Sequence, residues 1–206
     1  LDHSSGKKSY YIDFITNSEQ LEELELRNFN IEILIPNLAE YYKSRNIPEE
    51  SRDFPLGSMQ GNYTLSELSN RFDELQELYP NLISEKVILG QSHEQRDIWA
   101  FKVSDNPNVN EDEPEVLYTG LTHAREPLGM MNLFYFVQKL VEEYEEDPES
   151  NYLVNNRELW FIPVVNPDGY VFNESIAPNG GGMHRKNRYN TGCGDGNSRG
   201  VDLNRN

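Results

Sequence analysis

The chain has few of the residues that define several large classes of protein. Among its 206 residues is one cysteine, Cys193, so no internal disulfide can form and no disulfide scaffold stabilises the fold. No apolar run approaches the ~20 residues that a membrane-spanning helix requires. Lys and Arg number 18 against 35 Asp and Glu, and the net charge of −17 repels phosphate backbones and anionic lipid. A membrane span is therefore excluded, and nucleic acid is disfavoured as a partner.

The apolar content is sufficient for a packed core. Hydrophobic residues make up 36% of the chain, and 9 Phe, 12 Tyr and 2 Trp supply large interior side chains. The length suits one sizeable domain, or one domain with a small appendage. The chain starts at Leu1, so we expect either a removed leader or a start inside a longer gene. Asn62 and Asn173 begin N-x-S/T sequons, which matter only in a glycosylating host.

Two regions differ in pattern, and a turn-rich stretch separates them. Short strands are predicted over 10–15 and 31–35, with a helix between them, so residues 1–56 are expected to form a small α/β appendage and linker. In residues 57–206, strands alternate with helices. That pattern predicts an α/β domain with a mixed twisted sheet flanked by helices.

The spacing of apolar residues predicts the helices and strands of residues 57–206. Apolar residues at helical spacing, with Thr64 at the start and Pro80 at the end, predict one helix. A second helix begins at Pro127, since the first turn of a helix needs no amide donor there. Strands are predicted over 83–89, 96–103, 115–121 and 157–165. Beyond Asn166 the sequence is rich in Gly and Asn, which predicts a loop.

A histidine and a glutamate three positions apart follow the third of these strands, in GLTHAREPLG (120–129). His123 and Glu126 thus lie at the carboxyl end of a strand, where open α/β sheets usually bind ligands. An imidazole nitrogen and a carboxylate oxygen are common zinc donors, and a catalytic site adds a third protein ligand and a water. The alternative is a polar turn with a surface glutamate, and an isolated H-x-x-E motif favours that alternative.

Three downstream motifs favour the metal site. They are PVVNPDGY (163–170), MHRKNR (183–188) and GVDLNRN (200–206). Together with THAREP and GSMQGNYTLSEL, they resemble the carboxypeptidase A-like family of zinc metallopeptidases, most nearly the bacterial carboxypeptidase T type. The similarity runs from about residue 57 to the end. Gln95 and Thr122 replace the family's usual glycine and histidine, and neither is a ligand.

The resemblance implies a metal site and its support. His123 and Glu126 match the first two zinc ligands. Asp202 matches the carboxylate that accepts the other ring N–H of His123 and so fixes its tautomer. The alternative for Asp202 is an ordinary turn acid. The resemblance also implies structural calcium, which no motif locates: DGNSRG (195–200) begins like an EF-hand loop, but Arg199 replaces its third ligand.

The resemblance also implies substrate contacts. Arg185 matches the arginine that polarises the scissile carbonyl and stabilises the oxyanion, a role that suits a fixed cation. Asn204 and Arg205 match the pair that holds the terminal carboxylate, which a guanidinium can bind through two parallel hydrogen bonds. Arg125 matches a residue that lines the next subsite outward. The alternatives are a solvated basic patch at Arg185 and a loop end at Asn204 and Arg205.

Other residues that the resemblance implies lie beyond Asn206: a third zinc ligand, a general-base glutamate and a substrate-binding tyrosine. None of His3, His93 and His184 matches the third-ligand position. We therefore expect a chain truncated within its catalytic domain, which alone binds zinc weakly and lacks peptidase activity. A sheet cut in this way exposes a strand edge, through which self-association is expected.

The expected parent protein is a secreted or periplasmic zinc metallocarboxypeptidase, whose substrates are the C-termini of peptides or proteins. Two alternatives stay open. One is an amidohydrolase of the same fold that acts on cell-wall peptides or acyl amino acids, and the other is a non-catalytic peptide-binding member. Residues 1–56 are then a covering pro-segment or an accessory domain.

Overall fold

The structure is a computed structural model that describes residues 12–44, 54–192 and 196–205. The chain divides into two compact units, Leu1–Arg52 and Asp53–Asn206. The described part of the first unit contains two helices, α1 (Ser18–Leu26) and α2 (Leu38–Ser44). A capping box at Asn17 begins α1, because the Asn17 side chain accepts the Gln20 amide at 2.9 Å.

The strands predicted for the first unit are not formed in its described residues. Residues 12–15 and 31–35 have neither helix nor strand structure, and residues 10 and 11 lie outside the described part. Apolar side chains in both stretches are exposed, among them Ile12 and Leu34. Two short strands gain little stability without a third strand or a packed face. The strand predictions are therefore wrong for the described residues of both stretches, whereas the helix predicted between them is confirmed.

The second unit is built on a four-stranded mixed sheet in the order β1–β2–β4–β3. β1 (Val87–Gln91) pairs antiparallel with β2 (Asp97–Val103), and β2 pairs antiparallel with β4 (Glu158–Ile162). β4 pairs in parallel with β3 (Glu115–Thr119). The accompanying helices are α3 (Leu65–Leu78), α4 (Leu128–Glu142), α5 (Pro148–Asn156) and α6 (Pro167–Ile176). The predicted α/β domain with a mixed sheet flanked by helices is confirmed.

Aromatic rings from three neighbouring strands stack in register across the sheet. Phe161 of β4 is the register partner of Phe101 on β2 and of Tyr118 on β3. Its ring centroid lies 5.2 Å from each of theirs, with interplanar angles of 17° and 16°. Phe134 and Phe136 of α4 pack against the same rings, at 6.1 Å from Phe101 and Phe161 respectively. This aromatic stack joins α4 to the three strands.

The helices predicted from Thr64 and Pro127 are confirmed as α3 and α4. A capping box at Thr64 begins α3, which buries Leu68, Phe72 and Leu75. The short helix α5 was not expected from the sequence. Asp147 caps it by accepting the Ser150 amide at 2.8 Å, and a proline occupies its first turn.

Among the described residues beyond Asn166, the predicted loop is confirmed after Ile176, apart from a 3-10 helix at Gly196–Ser198, and is wrong over Pro167–Ile176, which form α6. The Asn166 side chain caps this helix by accepting the Gly169 amide at 3.0 Å. The sequence of α6 does not favour a helix strongly, because Gly169 lowers the helix propensity of this segment. A Cβ atom at this position would lie 2.4 Å from the Lys186 carbonyl oxygen, so close packing requires the glycine.

Among the described residues, β3 pairs on one side only and forms an edge of the sheet. Leu117, in the middle of this strand, is 60% exposed. An unpaired strand edge with an apolar side chain offers hydrogen-bonding groups to another chain. The search of the described helices for one that is long and apolar enough to cross a membrane found none.

We expect Phe161→Ala to lower the free energy of unfolding by about 3–5 kcal/mol, because it removes the central ring of the buried stack. Leu117→Ala on the neighbouring strand is the control, with an expected loss of less than about 0.5 kcal/mol. Urea denaturation followed by tryptophan fluorescence measures both. Equal losses in the two variants would contradict the assignment of the aromatic stack as the core.

Candidate active site

The segments that follow β3 and β4 lie side by side, because the two strands are parallel and in register. Backbone pairing continues beyond the strands: Gly120 N donates to Ile162 O at 2.9 Å, and Asn166 N donates to Leu121 O at 3.2 Å. Leu121 has a φ of 50°, in the left-handed region that non-glycine residues rarely adopt. Such strained residues are concentrated at functional sites.

Four side chains form a closed ring next to this backbone, which we call the site ring (His123, Glu126, Arg185 and Asp202). His123 Nδ1 lies 3.0 Å from Glu126 Oε2, and His123 Nε2 lies 3.2 Å from Asp202 Oδ1. Arg185 closes the ring: its Nε donates to Asp202 Oδ2 and its Nη1 donates to Glu126 Oε1, both at 2.9 Å. His123 is buried, while the other three side chains are 20–55% exposed.

Backbone contacts bring the distant Arg185 and Asp202 to the loop after β3. Ala124 N, next to His123, donates to Arg185 O at 3.1 Å. Asn187 N donates to Val201 O at 3.0 Å, which places residue 202 beside residue 185. Gly200 permits this approach, since its φ is 105° and a Cβ atom there would lie 1.9 Å from Asn187 O.

Charge pairing shifts the pKa values within the site ring. The hydrogen bond from Arg185 holds the pKa of Asp202 well below its usual range, and the same bond raises the pKa of Arg185. The hydrogen bond with His123 lowers the pKa of Glu126, and the charges of Arg185 and Arg125 lower it further. Both carboxylates are therefore fully ionised at neutral pH.

The site ring contains the two types of donor atom that zinc commonly binds, an imidazole nitrogen and a carboxylate oxygen. With a zinc ion bound, the His123 tautomer that carries its proton on Nε2 would donate to Asp202 and leave the lone pair of Nδ1 for the metal, beside the Glu126 carboxylate. Two acceptors that face each other at 3.0 Å are favourable with a cation between them. We call His123 and Glu126, the two predicted zinc ligands, the zinc half-site. No group of three or more His, Cys, Asp or Glu side chains that could hold a metal was found within residues 12–44, 54–192 and 196–205.

The predicted substrate contacts lie beside the site ring and are exposed. Asn204 N donates to Asp202 Oδ1 at 2.9 Å, and Arg205 N donates to Asp202 O at 3.2 Å. The guanidinium of Arg205 donates to Asn204 O at 2.6 Å. Arg125 lies between the two residues of the zinc half-site and is exposed. Asp202 thus anchors the backbone from which Asn204 and Arg205 project.

The other described histidines occupy different environments. His184 is 1% exposed, its Nε2 lies 3.1 Å from Asn187 O, and its ring packs against Phe172, so it is a core histidine. His93 is exposed, with its ring 4.7 Å from that of Tyr189. His3 lies outside the described residues, as does the first residue of the EF-hand-like stretch, Asp195.

Sequence reasoning missed the polar residues of α6 that support the site. Asp168 is 2% exposed and accepts hydrogen bonds from Ser92 Oγ (2.6 Å), Glu94 N (2.9 Å) and Arg96 Nη1 (2.7 Å), which joins the loop after β1 to α6. Asn166 Nδ2 donates to Thr122 O at 3.3 Å and to Lys186 O at 3.0 Å. The NPDG motif was a usable signal, because Asn followed by Pro is a helix start.

The mixed α/β sheet thus carries the two predicted zinc ligands, His123 and Glu126, just beyond the carboxyl end of one of its parallel strands. Residues 68–206 match the family model described as zinc carboxypeptidase. The chain therefore belongs to the zinc carboxypeptidase family, and the resemblance seen in its motifs is confirmed.

Individual relatives agree with this assignment. The chain is 38% identical over 138 residues to a zinc carboxypeptidase of Saccharothrix mutabilis subsp. capreolus, which covers 67% of this chain and 31% of that protein. It is 34% identical over 147 residues to carboxypeptidase A2 of Rattus norvegicus, covering 70% of this chain and 32% of the relative. The chain thus spans about a third of the length of these relatives.

Solved structures show the same fold. A crystal structure of thrombin activatable fibrinolysis inhibitor aligns with a TM-score of 0.62 and 23% identity, covering 92% of this chain and 45% of that one. Carboxypeptidase A from Helicoverpa armigera aligns with a TM-score of 0.55 and 24% identity, covering 85% and 42%.

We expect the Asp202 carboxyl to remain ionised as the pH falls through its usual pKa of about 3.9. A lowered folded-state pKa means that its contribution to stability is complete above the unfolded value and is lost as pH falls through the folded value. NMR titration of the Asp202 side-chain carbon measures the midpoint. Arg185→Gln should move the midpoint upward, because Arg185 is the largest cause. A wild-type midpoint near 3.9 would contradict the site ring.

Proposed function

We propose that the full-length protein is a zinc-dependent metallocarboxypeptidase that hydrolyses the C-terminal peptide bond of peptides or proteins. The observation that carries this proposal is the site ring, which places Arg185 beside the zinc half-site. Membership of the zinc carboxypeptidase family supports it. So does its similarity to a zinc carboxypeptidase and to a carboxypeptidase A2.

His123 and Glu126 would hold the zinc ion, which when bound polarises the substrate carbonyl and activates a water molecule. Asp202 lies within hydrogen-bonding distance of His123 Nε2 and selects the tautomer whose Nδ1 is free to coordinate. In this proposal, residues outside the described part supply a third ligand and the general base. A structural calcium ion stays a prediction without support in the described residues.

Arg185 would stabilise the oxyanion that develops on the scissile carbonyl. Its guanidinium bridges Glu126 and Asp202, so its charge is held beside the zinc half-site before substrate binds. A fixed cation of this kind costs no reorganisation at the moment of reaction. Asn204 and Arg205 would bind the free terminal carboxylate, and Arg125 would contact the residue next to the scissile bond.

The first test compares the full-length protein with the 206-residue chain. We expect the full-length protein to hydrolyse an N-blocked dipeptide with a free C-terminus but not its C-terminal amide, since a carboxypeptidase must bind the carboxylate. A chelator should abolish turnover and zinc should restore it. The 206-residue chain alone should be inactive, because its described residues supply two zinc donors.

Other outcomes would contradict the proposal in distinguishable ways. Cleavage of cell-wall peptides or acyl amino acids without cleavage of the dipeptide indicates an amidohydrolase. Peptide binding without turnover indicates a non-catalytic member. Turnover by the 206-residue chain that a chelator abolishes would contradict the proposed need for further residues.

A second test separates carboxylate binding from catalysis. Arg205→Gln should raise KM for the free dipeptide, because it removes the positive charge that pairs with the terminal carboxylate. Arg185→Ala should lower kcat by about 10²–10³-fold, the usual loss when an oxyanion donor is removed.

The matched control for Arg205 is Arg157→Gln. Arg205 is exposed and Arg157 is half-buried in the same unit, and each donates from Nη1 to the carbonyl oxygen of the preceding residue. Arg157→Gln should leave kcat and KM unchanged. Equal changes in KM for the two variants would contradict the assigned role of Arg205.

Three further expectations stay predictions. A secreted or periplasmic location and a pro-segment or accessory role for residues 1–56 rest on the resemblance of the motifs. Self-association through the edge strand β3 rests on its single pairing partner within the described residues and on the exposed Leu117. Sedimentation of the 206-residue chain with and without Leu117→Lys tests this last expectation.

A further inference from the structure

A buried asparagine on α6 joins the two segments that carry the site ring. Asn173 is 2% exposed, and its side-chain nitrogen donates to the carbonyl oxygens of Ala124 at 2.9 Å and His184 at 2.8 Å. Its side-chain oxygen accepts the His184 backbone N–H at 2.8 Å. Both amide hydrogens and the amide oxygen are thus bonded to backbone groups.

The residues that Asn173 binds are direct neighbours of site residues in the chain. Ala124 follows His123, and His184 precedes Arg185. The two segments also pair directly, where Ala124 N donates to Arg185 O at 3.1 Å. The amide of Asn173 therefore bonds to both segments at once, next to their direct backbone pairing.

The space around the Asn173 amide is closed. A Cβ atom on Gly182 would lie 2.6 Å from Cβ and 2.7 Å from the side-chain oxygen of Asn173. On the helix, a Cβ atom on Gly169 would lie 2.8 Å from Cβ of Ala124. The backbone at Gly182 thus packs directly against Asn173, and the backbone at Gly169 packs against Ala124.

We propose that Asn173 is a positioning residue that sets the distance between the zinc half-site and Arg185. The proposal rests on the proposed function, because the placement of Arg185 affects rate only if the protein is a peptidase. A misplacement of about 1 Å can cost about 10²-fold in rate. The contacts of Asn173 therefore act on kcat through Arg185, without contact between Asn173 and substrate.

The first experiment compares two buried amides in the full-length protein. Gln138 on α4 is 3% exposed and bonds to the side chains of Arg71 and Glu142, away from the site ring. Asn173→Ala and Gln138→Ala should both lower the melting temperature, because each removes the hydrogen bonds of a buried side-chain amide. Only Asn173→Ala should lower kcat, by about 10–100-fold with KM unchanged. Equal kcat values for the two variants would overturn the proposal.

A double-mutant cycle separates positioning from general damage. If Asn173 acts through Arg185, then Asn173→Ala should have no further effect on kcat once Arg185→Ala is present. The double variant should therefore match Arg185→Ala alone. Effects on kcat that multiply in the double variant would show that Asn173 acts by another route, and would overturn the proposal.

A second variant disturbs the same amide from outside, in case Asn173→Ala does not fold. Gly182→Ala places a methyl group against the Asn173 side chain while leaving its hydrogen-bonding groups intact. Gly182→Ala should lower kcat, as Asn173→Ala does. Gly90→Ala is the control, because a Cβ atom there has no neighbour within 4 Å. A kcat of Gly182→Ala equal to that of Gly90→Ala would count against the proposal.

One readout does not depend on activity. The Ala124 amide donates to Arg185 O, so loss of the Asn173 contacts should speed its hydrogen exchange by about tenfold relative to Gln138→Ala. If the wild-type protein shows no chelator-sensitive hydrolysis, the proposed function fails while this exchange effect still tests the Asn173 contacts. Unchanged exchange at Ala124 would overturn the positioning role itself.

Discussion

The parallel pairing of β3 with β4 is the constraint on which the site depends. The two strands are in register from Glu115 and Glu158 to Thr119 and Ile162, so their carboxyl ends are level. Pairing then continues into the following segments through Gly120. One segment carries the zinc half-site and the other begins α6. A shift of one residue in this register would turn the stacked rings away from the core and separate the two segments.

Charge balance explains why four side chains from three segments form the site ring. With a neutral imidazole, the two carboxylates and one guanidinium leave the ring with one excess negative charge. Both carboxylates accept a hydrogen bond from Arg185 and both have lowered pKa values, so both are ionised at neutral pH. In a protein with a net charge of −17, this excess would favour a cation at the proposed zinc half-site.

The parts of the fold and site that could be predicted were those with a local signal. Thr64 and Pro127 mark the starts of helices by their own chemistry. His123 and Glu126 follow a recognisable strand. The family resemblance of the downstream motifs predicted that Arg185 and Asp202 belong to the same site. These side chains do lie together in the structure, while their catalytic roles stay proposals.

The rest depended on packing that no local pattern encodes. Gly169 lowers helix propensity, yet α6 requires a glycine at this position, because the Lys186 carbonyl lies where a Cβ atom would be. Leucine at 121 gives no sign of a left-handed backbone. Residues 31–35 have the alternation of a strand, but a strand needs a partner that their own sequence cannot supply. The contacts of Asn173 could not be predicted, because they exist only when the fold brings Ala124 and His184 next to it.

The amide of Asn173 has a consequence for how the protein can be produced. Asn173, Glu174 and Ser175 form an acceptor sequence for N-linked glycans, which are attached to the side-chain nitrogen. In the folded protein that nitrogen is buried and bonded to two carbonyl oxygens. In a eukaryotic secretory pathway, folding and glycosylation would therefore compete for one atom, and every chain modified first would lose the geometry of its site.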